Sequence, residues 1–396
     1  MSDTEGAVAG GGGTETVASV QPLERLYLPQ LDGLRFFAFT LVYLFHNGVE
    51  VALLSPLVGQ RVAIALRENG WVGVQLFFIL SGYLITTLLL REEQTFGRID
   101  LKAFWIRRIL RIWPLYYLIV AIGFLLIPWG EGALGSPGYR DLLERHLGPF
   151  LTFLGNWSMA LRGPVPYDAL SVLWSVCIEE QFYLVVPLLV AWVSRRYRVG
   201  LVAAAIAGTI LARWFYAEAN PLEIKIRFNT FLCFDTLLSG VLLALVFGPN
   251  PRSNRWAGWV LGPLVLVGTM WLFSQSQLAA GTTWKRTWGF VGIWLWGVGV
   301  VALAVNSRGW CRAVLSYSRL VWLGKISYGL YMYHEVALWL RKGLYYRLPW
   351  FPNKDPLLTI ATFAATVGLA ALSYYAYERR FLAWKRPWTR VPSRPL

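Results

Sequence analysis

"LDGLRFFAFTLVYLFHN" occupies residues 31–47, an apolar run of the kind that spans a membrane, yet it holds Asp32, Arg35 and His46. Ionisable groups inside a bilayer cost about 2.5–3.5 kcal/mol each on insertion scales, so a helix that keeps them marks a site. Arg35 and His46 are eleven residues apart. At about 100° per residue they are three turns plus roughly 20° apart, so they share one face, ~16 Å from each other along the axis. Each also has a plain structural reading. Arg35 can pair with Asp32 or snorkel, and His46 can be a neutral hydrogen-bonding group between helices.

The rest of the chain is of the same kind. Of its 396 residues 56% are hydrophobic, 16% aromatic and only 15% charged, too apolar for a soluble protein of this size. The expectation is an all-α integral membrane protein, a bundle of about ten transmembrane helices, near 31–54, 70–91, 112–130, 170–193, 199–218, 228–248, 256–276, 287–306, 321–342 and 357–378. Residues 1–25 read as a disordered Gly-rich cytoplasmic tail without the basic and apolar regions of a cleaved signal. A single polytopic domain is expected over 26–380 and a basic cytoplasmic tail over 381–396. The longest connection, 131–169, has room for a short or re-entrant helix.

The net charge of +15 comes from basic residues clustered between apolar runs. That pattern fits the positive-inside bias and anionic lipid and excludes nucleic acid as the partner. With the N-terminus in the cytoplasm, 22 Lys and Arg fall inside and 14 outside, so both termini are expected to be cytoplasmic. Cys177, Cys233 and Cys311 lack CxxC spacing, which indicates neither a disulfide framework nor a zinc site, and no metal is expected.

Counting depth along the expected helices brings Glu179 and Glu180, and also His334 and Glu335, to the level of His46. These five form one expected polar layer, whereas Arg35, Arg108 and Arg111 form a second at the cytoplasmic mouth. Adjacent residues on a helix point about 100° apart, so only one of Glu179 and Glu180 can face the site squarely. His146, in the outer connection, is expected to be solvated.

Five ordered blocks, "LDGLRFFAFTLVYLFH", "WVGVQLFFILSGYLIT", "FWIRRILRIWPLYY", "LWSVCIEEQFYL" and "LGKISYGLYMYH", resemble the bacterial membrane acyltransferases of the acyltransferase-3 type. The resemblance implies O-acyl transfer to cell-surface glycans or, in some members, to antibiotics. It carries the family's Arg and His of the first helix onto Arg35 and His46, and its Arg pair onto Arg108 and Arg111. Two departures stand out: Gln75 where an acidic residue is common, and "YERRF" without the Pro that often follows two residues after Glu378. An appended hydrolase-like domain, which some members carry, is not expected.

The implied donor substrate is acetyl-CoA or another acyl-CoA. Its phosphates suit the guanidinium forks of Arg35, Arg108 and Arg111, while its thin pantetheine arm suits the track toward His46. His46 would act as general base, oriented by Glu179, Glu180 or Glu335, with His334 in the same layer; a relay through an acyl-His46 is equally consistent. The acceptor is expected to be a hydroxyl of a cell-surface or exported glycan, and the location the cytoplasmic membrane. A macrolide or other secondary metabolite is the alternative acceptor. A secondary transporter is the alternative of another class, disfavoured because the two halves show no matching interrupted helices.

Overall fold

The computed structural model describes residues 27–47, 51–220, 223–249, 262, 265, 267–269, 283–347 and 356–391. Among the described residues all regular structure is helical, which is how a chain satisfies every backbone N–H and C=O in hydrocarbon. Among the described residues nine long helices set the architecture: α1 (Pro29–His46), α2 (Val72–Phe96), α3 (Leu101–Gly130), α4 (Leu173–Trp192), α5 (Arg195–Ala219), α6 (Thr230–Phe247), α7 (Thr283–Asn306), α8 (Ser327–Arg347) and α9 (Pro356–Ser373). A π turn, Tyr374–Glu378, carries α9 on into Arg379–Trp384.

Seven of these are long and apolar enough to cross a membrane, so the chain is a multi-pass membrane protein. The exceptions are α1 and α8, the two that carry the ionisable residues of the expected site. The expected helix at 256–276 lies almost wholly outside the described residues.

Packing places α2 at the centre: 78% of its most apolar window is buried, against 22% for α5, which faces outward. Helices in lipid approach closely through small residues, and α2 meets α6 in this way. A Cβ on Gly82 would strike the Leu237 carbonyl, and one on Gly240 the Ile79 carbonyl. Around α2 the main apolar core joins α3, α4 and α8 through Phe78, Tyr116, Phe182 and Leu330.

Four expected boundaries move. The helix expected over 31–54 ends at His46, and Val51–Val58 forms its own helix. Asp100 caps α3 by accepting the Ala103 N–H at 2.9 Å, so the helix starts at Leu101 and not near 112, and Arg107, Arg108 and Arg111 lie within it. The expected helix 321–342 is two helices, Ser318–Lys325 and α8, broken at Ile326. The expected tail begins inside Arg379–Trp384, and its residues 385–391 pack back onto α3.

The connection 131–169 contains several short helices pinned to the bundle. The Tyr116 hydroxyl donates to the Phe150 carbonyl at 2.7 Å, and Gln181 Nε2 to that of Phe153 at 2.8 Å. His146 is buried there and not solvated. It bonds Ser158 Oγ through Nδ1 at 2.9 Å, and burial together with Arg162 pushes its titration below the usual histidine range.

Candidate active site

A cavity opens between α1, α2, α3, α4 and α8. Its mouth lies at the face where α1 and α3 begin, and there Arg35, Arg108, Arg111 and Lys385 line it. Arg35 lies 3.5 Å from Asp32, the structural pairing open to it from sequence, while still bordering the cavity. Arg108 lies over the rings of Phe104 and Tyr183, and its buried Nε has no hydrogen-bond partner among the described residues. Arg111 forms no ion pair among the described residues.

Halfway along the cavity, Glu179 Oε1 accepts from Ser81 Oγ at 2.7 Å, and Tyr183 OH lies 3.0 Å from the same hydroxyl. Glu180 turns the other way and takes the Trp113 indole N–H at 2.9 Å. One glutamate of the adjacent pair therefore faces the cavity and its neighbour braces α3. At the far end Ser175 and Tyr331, whose hydroxyls are 2.8 Å apart, border the cavity beside Val74 and Phe77.

Beyond these hydroxyls lies a separate polar group. His46 Nδ1 is 2.6 Å from Glu335 Oε1; the His46 side chain is 32% exposed, whereas Glu335 and His334 are buried. His334 packs its ring 5.1 Å from that of His46 and directs Nδ1 to the Tyr331 carbonyl at 2.5 Å. A carbonyl can only accept, so His334 carries its proton on Nδ1. His46 faces a carboxylate through Nδ1, so in the neutral ring that nitrogen holds the proton and Nε2 is left bare.

The two polar groups are thus stacked along the bundle and do not form one layer. From Glu179 to Ser175 is one turn of α4, and from Tyr331 to Glu335 one turn of α8, ~12 Å in all. The structure brings His46, His334 and Glu335 together, and Arg35, Arg108, Arg111 and Glu179 together, but it does not place Glu179 or Glu180 beside His46. Depth counting had assumed that helix ends are level. α8 starts late, after the break at Ile326, with Ser327 already lining the cavity. Lys385, Ser81, Tyr183 and Tyr331 are site residues the sequence did not single out; for Ser81 and Tyr331, a polar residue at a cavity-facing register of α2 or α8 was the available signal.

His46 Nδ1, His334 Nε2 and Glu335 Oε1 lie within 4.8 Å of one another, a donor set that could hold a cation. Ligands about 2.0–2.1 Å from a tetrahedral zinc stand roughly 3.3 Å apart. The 2.6 Å contact between His46 and Glu335 is instead the length of a direct, charge-assisted hydrogen bond.

The model of the family described as "Acyltransferase domain" (the acyltransferase-3 type) matches residues 28–375. The "Putative O-acetyltransferase SACOL0978" of Staphylococcus aureus (strain COL) is 30% identical over 329 residues, covering 79% of this chain and 51% of that protein. The "O-acetyltransferase OatA" of Staphylococcus aureus (strain NCTC 8325 / PS 47) is 29% identical over 332 residues, covering 78% and 50%. The chain spans about half the length of these curated relatives. No solved structure matches it at a significant level. With the family match running over residues 28–375, from the start of α1 to just past the end of α9, the chain belongs to the acyltransferase-3 family.

Proposed function

We propose that the protein is a membrane-embedded O-acyltransferase that takes an acyl group, acetyl by analogy with its relatives' names, from cytoplasmic acyl-CoA. It delivers the group to a hydroxyl of a cell-surface or exported glycan. The observation that carries this reading is that one helix, α1, holds Arg35 at a cationic cavity and, ~16 Å further along, His46 hydrogen-bonded to Glu335. On this reading the face with Arg108 and Arg111 is cytoplasmic, both termini lie inside, about ten helices span the membrane, and the location is the cytoplasmic membrane. The excess of Lys and Arg on that side supports the orientation.

The donor's phosphates meet Arg35, Arg108 and Arg111, which guanidinium groups bind as bidentate forks. The pantetheine arm runs up the cavity past Glu179 and Ser81, and the thioester passes the Ser175 and Tyr331 hydroxyls to reach His46. There the acceptor oxygen attacks the thioester carbon as His46 Nε2 takes its proton, with Glu335 stabilising the imidazolium. Collapse of the adduct breaks the C–S bond, and the imidazolium returns the proton to the leaving thiolate. The products are an O-acyl ester and CoA thiol. His334 acts as a positioning residue, its ring locked by the Tyr331 carbonyl against both partners.

Purified protein in detergent, given acetyl-CoA and a hydroxyl-bearing glycan, should release free CoA in step with ester formation. His46→Ala should lower that rate by about 10²–10⁴-fold while leaving the protein folded, the span expected for loss of a general base. Near-normal turnover in that variant would remove His46 from the chemistry.

A further inference from the structure

Four cationic side chains line the mouth of the cavity, and among the described residues only one of them, Arg35, lies within ion-pairing distance of a carboxylate. Asp32 lies 3.5 Å from Arg35. Arg108, Arg111 and Lys385 form no ion pair among the described residues. Three positive groups around one partly enclosed space repel one another and lose hydration, an arrangement that an anion bound among them would stabilise. Arg108 and Arg111 come from α3. Lys385 comes from the other end of the sequence, on the segment that follows Arg379–Trp384.

That segment is built as a strap across the mouth. Upstream of Lys385 it is the end of a continuous helix, and downstream it is a short 3₁₀ turn, Arg386–Trp388. Arg107 Nη1 donates to the Trp388 carbonyl at 2.6 Å, Lys102 lies 5.9 Å over the Trp388 ring, and Arg390 reaches Asp100 at 3.2 Å and Glu92 at 3.7 Å. Glu92 is buried and also receives Arg107 and the backbone N–H of Asp100, so the strap is tied to the junction of α2 and α3. Lys385 is fixed on both sides and lines the cavity without an ion pair among the described residues.

We infer that Lys385 is a donor-binding residue, the strap's contribution to a site in which Arg108, Arg111 and Lys385 together hold a phosphate or pyrophosphate group of the acyl-CoA. This deepens the proposed function and rests on it.

The electrostatic surroundings give the inference a signature. Arg107, Arg108 and Arg111 from α3 act on Lys385, while Arg35 and Asp32 from α1, Glu179 and Tyr183 from α4, and Tyr328 from α8 line the cavity it borders. Glu378 lies on its own helix, bonded to Ser373. Burial first, and then Arg111, Arg108 and Arg107, push the ammonium down to about 7. A bound phosphate favours the charged form and raises that value. Below pH 7 Lys385 is charged with or without the anion and contributes no pH dependence. Above pH 7 the empty site loses the proton and binding must restore it, so affinity falls as pH rises from 7 to 9, by up to about tenfold per pH unit. An arginine in its place stays charged throughout.

The test is a calorimetric titration of CoA into detergent-solubilised wild type, Lys385→Arg and Lys385→Met at pH 6.5, 7.5 and 8.5, in two buffers of different ionisation heat. Wild type should bind CoA with affinity declining toward pH 8.5, and with proton uptake approaching about half a proton near pH 7. Lys385→Arg should bind with that slope and uptake abolished; Lys385→Met should bind several-fold more weakly at pH 6.5 and also without the slope. If both variants keep the wild-type slope and uptake, Lys385 is not a ligand, although CoA binding by wild type would leave the donor reading standing. If wild type binds no CoA at any pH, the donor reading falls and this inference with it. Should Lys385→Met fail to fold, Lys385→Arg alone decides between the slopes.

Discussion

His46 serves as a base only if one ring nitrogen is bare, and Glu335 determines which. The carboxylate 2.6 Å from Nδ1 holds the proton there and leaves Nε2 free. Glu335→Gln keeps a hydrogen-bond acceptor but removes the charge that stabilises the imidazolium. Turnover should drop by about 10²–10⁴-fold with little change in the KM for donor, as measured by steady-state CoA release. His146→Ala should instead lower the melting temperature through loss of its buried bond to Ser158 while leaving kcat within about twofold. A silent Glu335→Gln would return the orienting role to another residue. At this scale the sequence was partly legible. The shared face of Arg35 and His46 followed from helical period alone. The choice among Glu179, Glu180 and Glu335 did not, because it depends on how α4 and α8 are set vertically against α1.

Among the elements, α5 and α6 are joined by a contact with no place in the chemistry. Arg213 and Asp235 are fully buried and ion-paired, Arg213 Nε also donates to the Leu232 carbonyl at 3.0 Å, and its guanidinium covers the Phe290 ring. Removing one member strands the other charge. Asp235→Leu should destabilise the protein by about 3–5 kcal/mol, read as a lower midpoint of thermal unfolding in detergent. Adding Arg213→Met should recover much of that loss. A double variant less stable than the single would show that the two charges do not act as a pair. Element boundaries were legible where apolar runs had plain ends, as for α2, α6 and α7. They were missed where a local signal outweighed hydropathy: the Asp100 cap, which extends α3 back over three arginines, and the break at Ile326 ahead of α8.

For the molecule as a whole, the decisive arrangement is vertical. A cationic cavity opens at one face, and a histidine and carboxylate lie ~12 Å beyond its Glu179, with the Ser175 and Tyr331 hydroxyls between. The membrane character was legible from composition, and the cationic mouth from spacing. The separation into two polar groups was not, since it arises from the late start of α8. Such a molecule should work across the bilayer, with donor on the cytoplasmic face and acceptor reached from the other. The direct measurement uses proteoliposomes of fixed protein orientation, with a glycan acceptor enclosed or outside and acetyl-CoA, which does not cross the membrane, on one side only. Acetyl esters should form on acceptor opposite the donor, with free CoA appearing on the donor side when that side is the face bearing Arg108 and Arg111. Esters forming only when donor and acceptor share a side, or only when donor is supplied at the opposite face, would contradict transfer through the bundle.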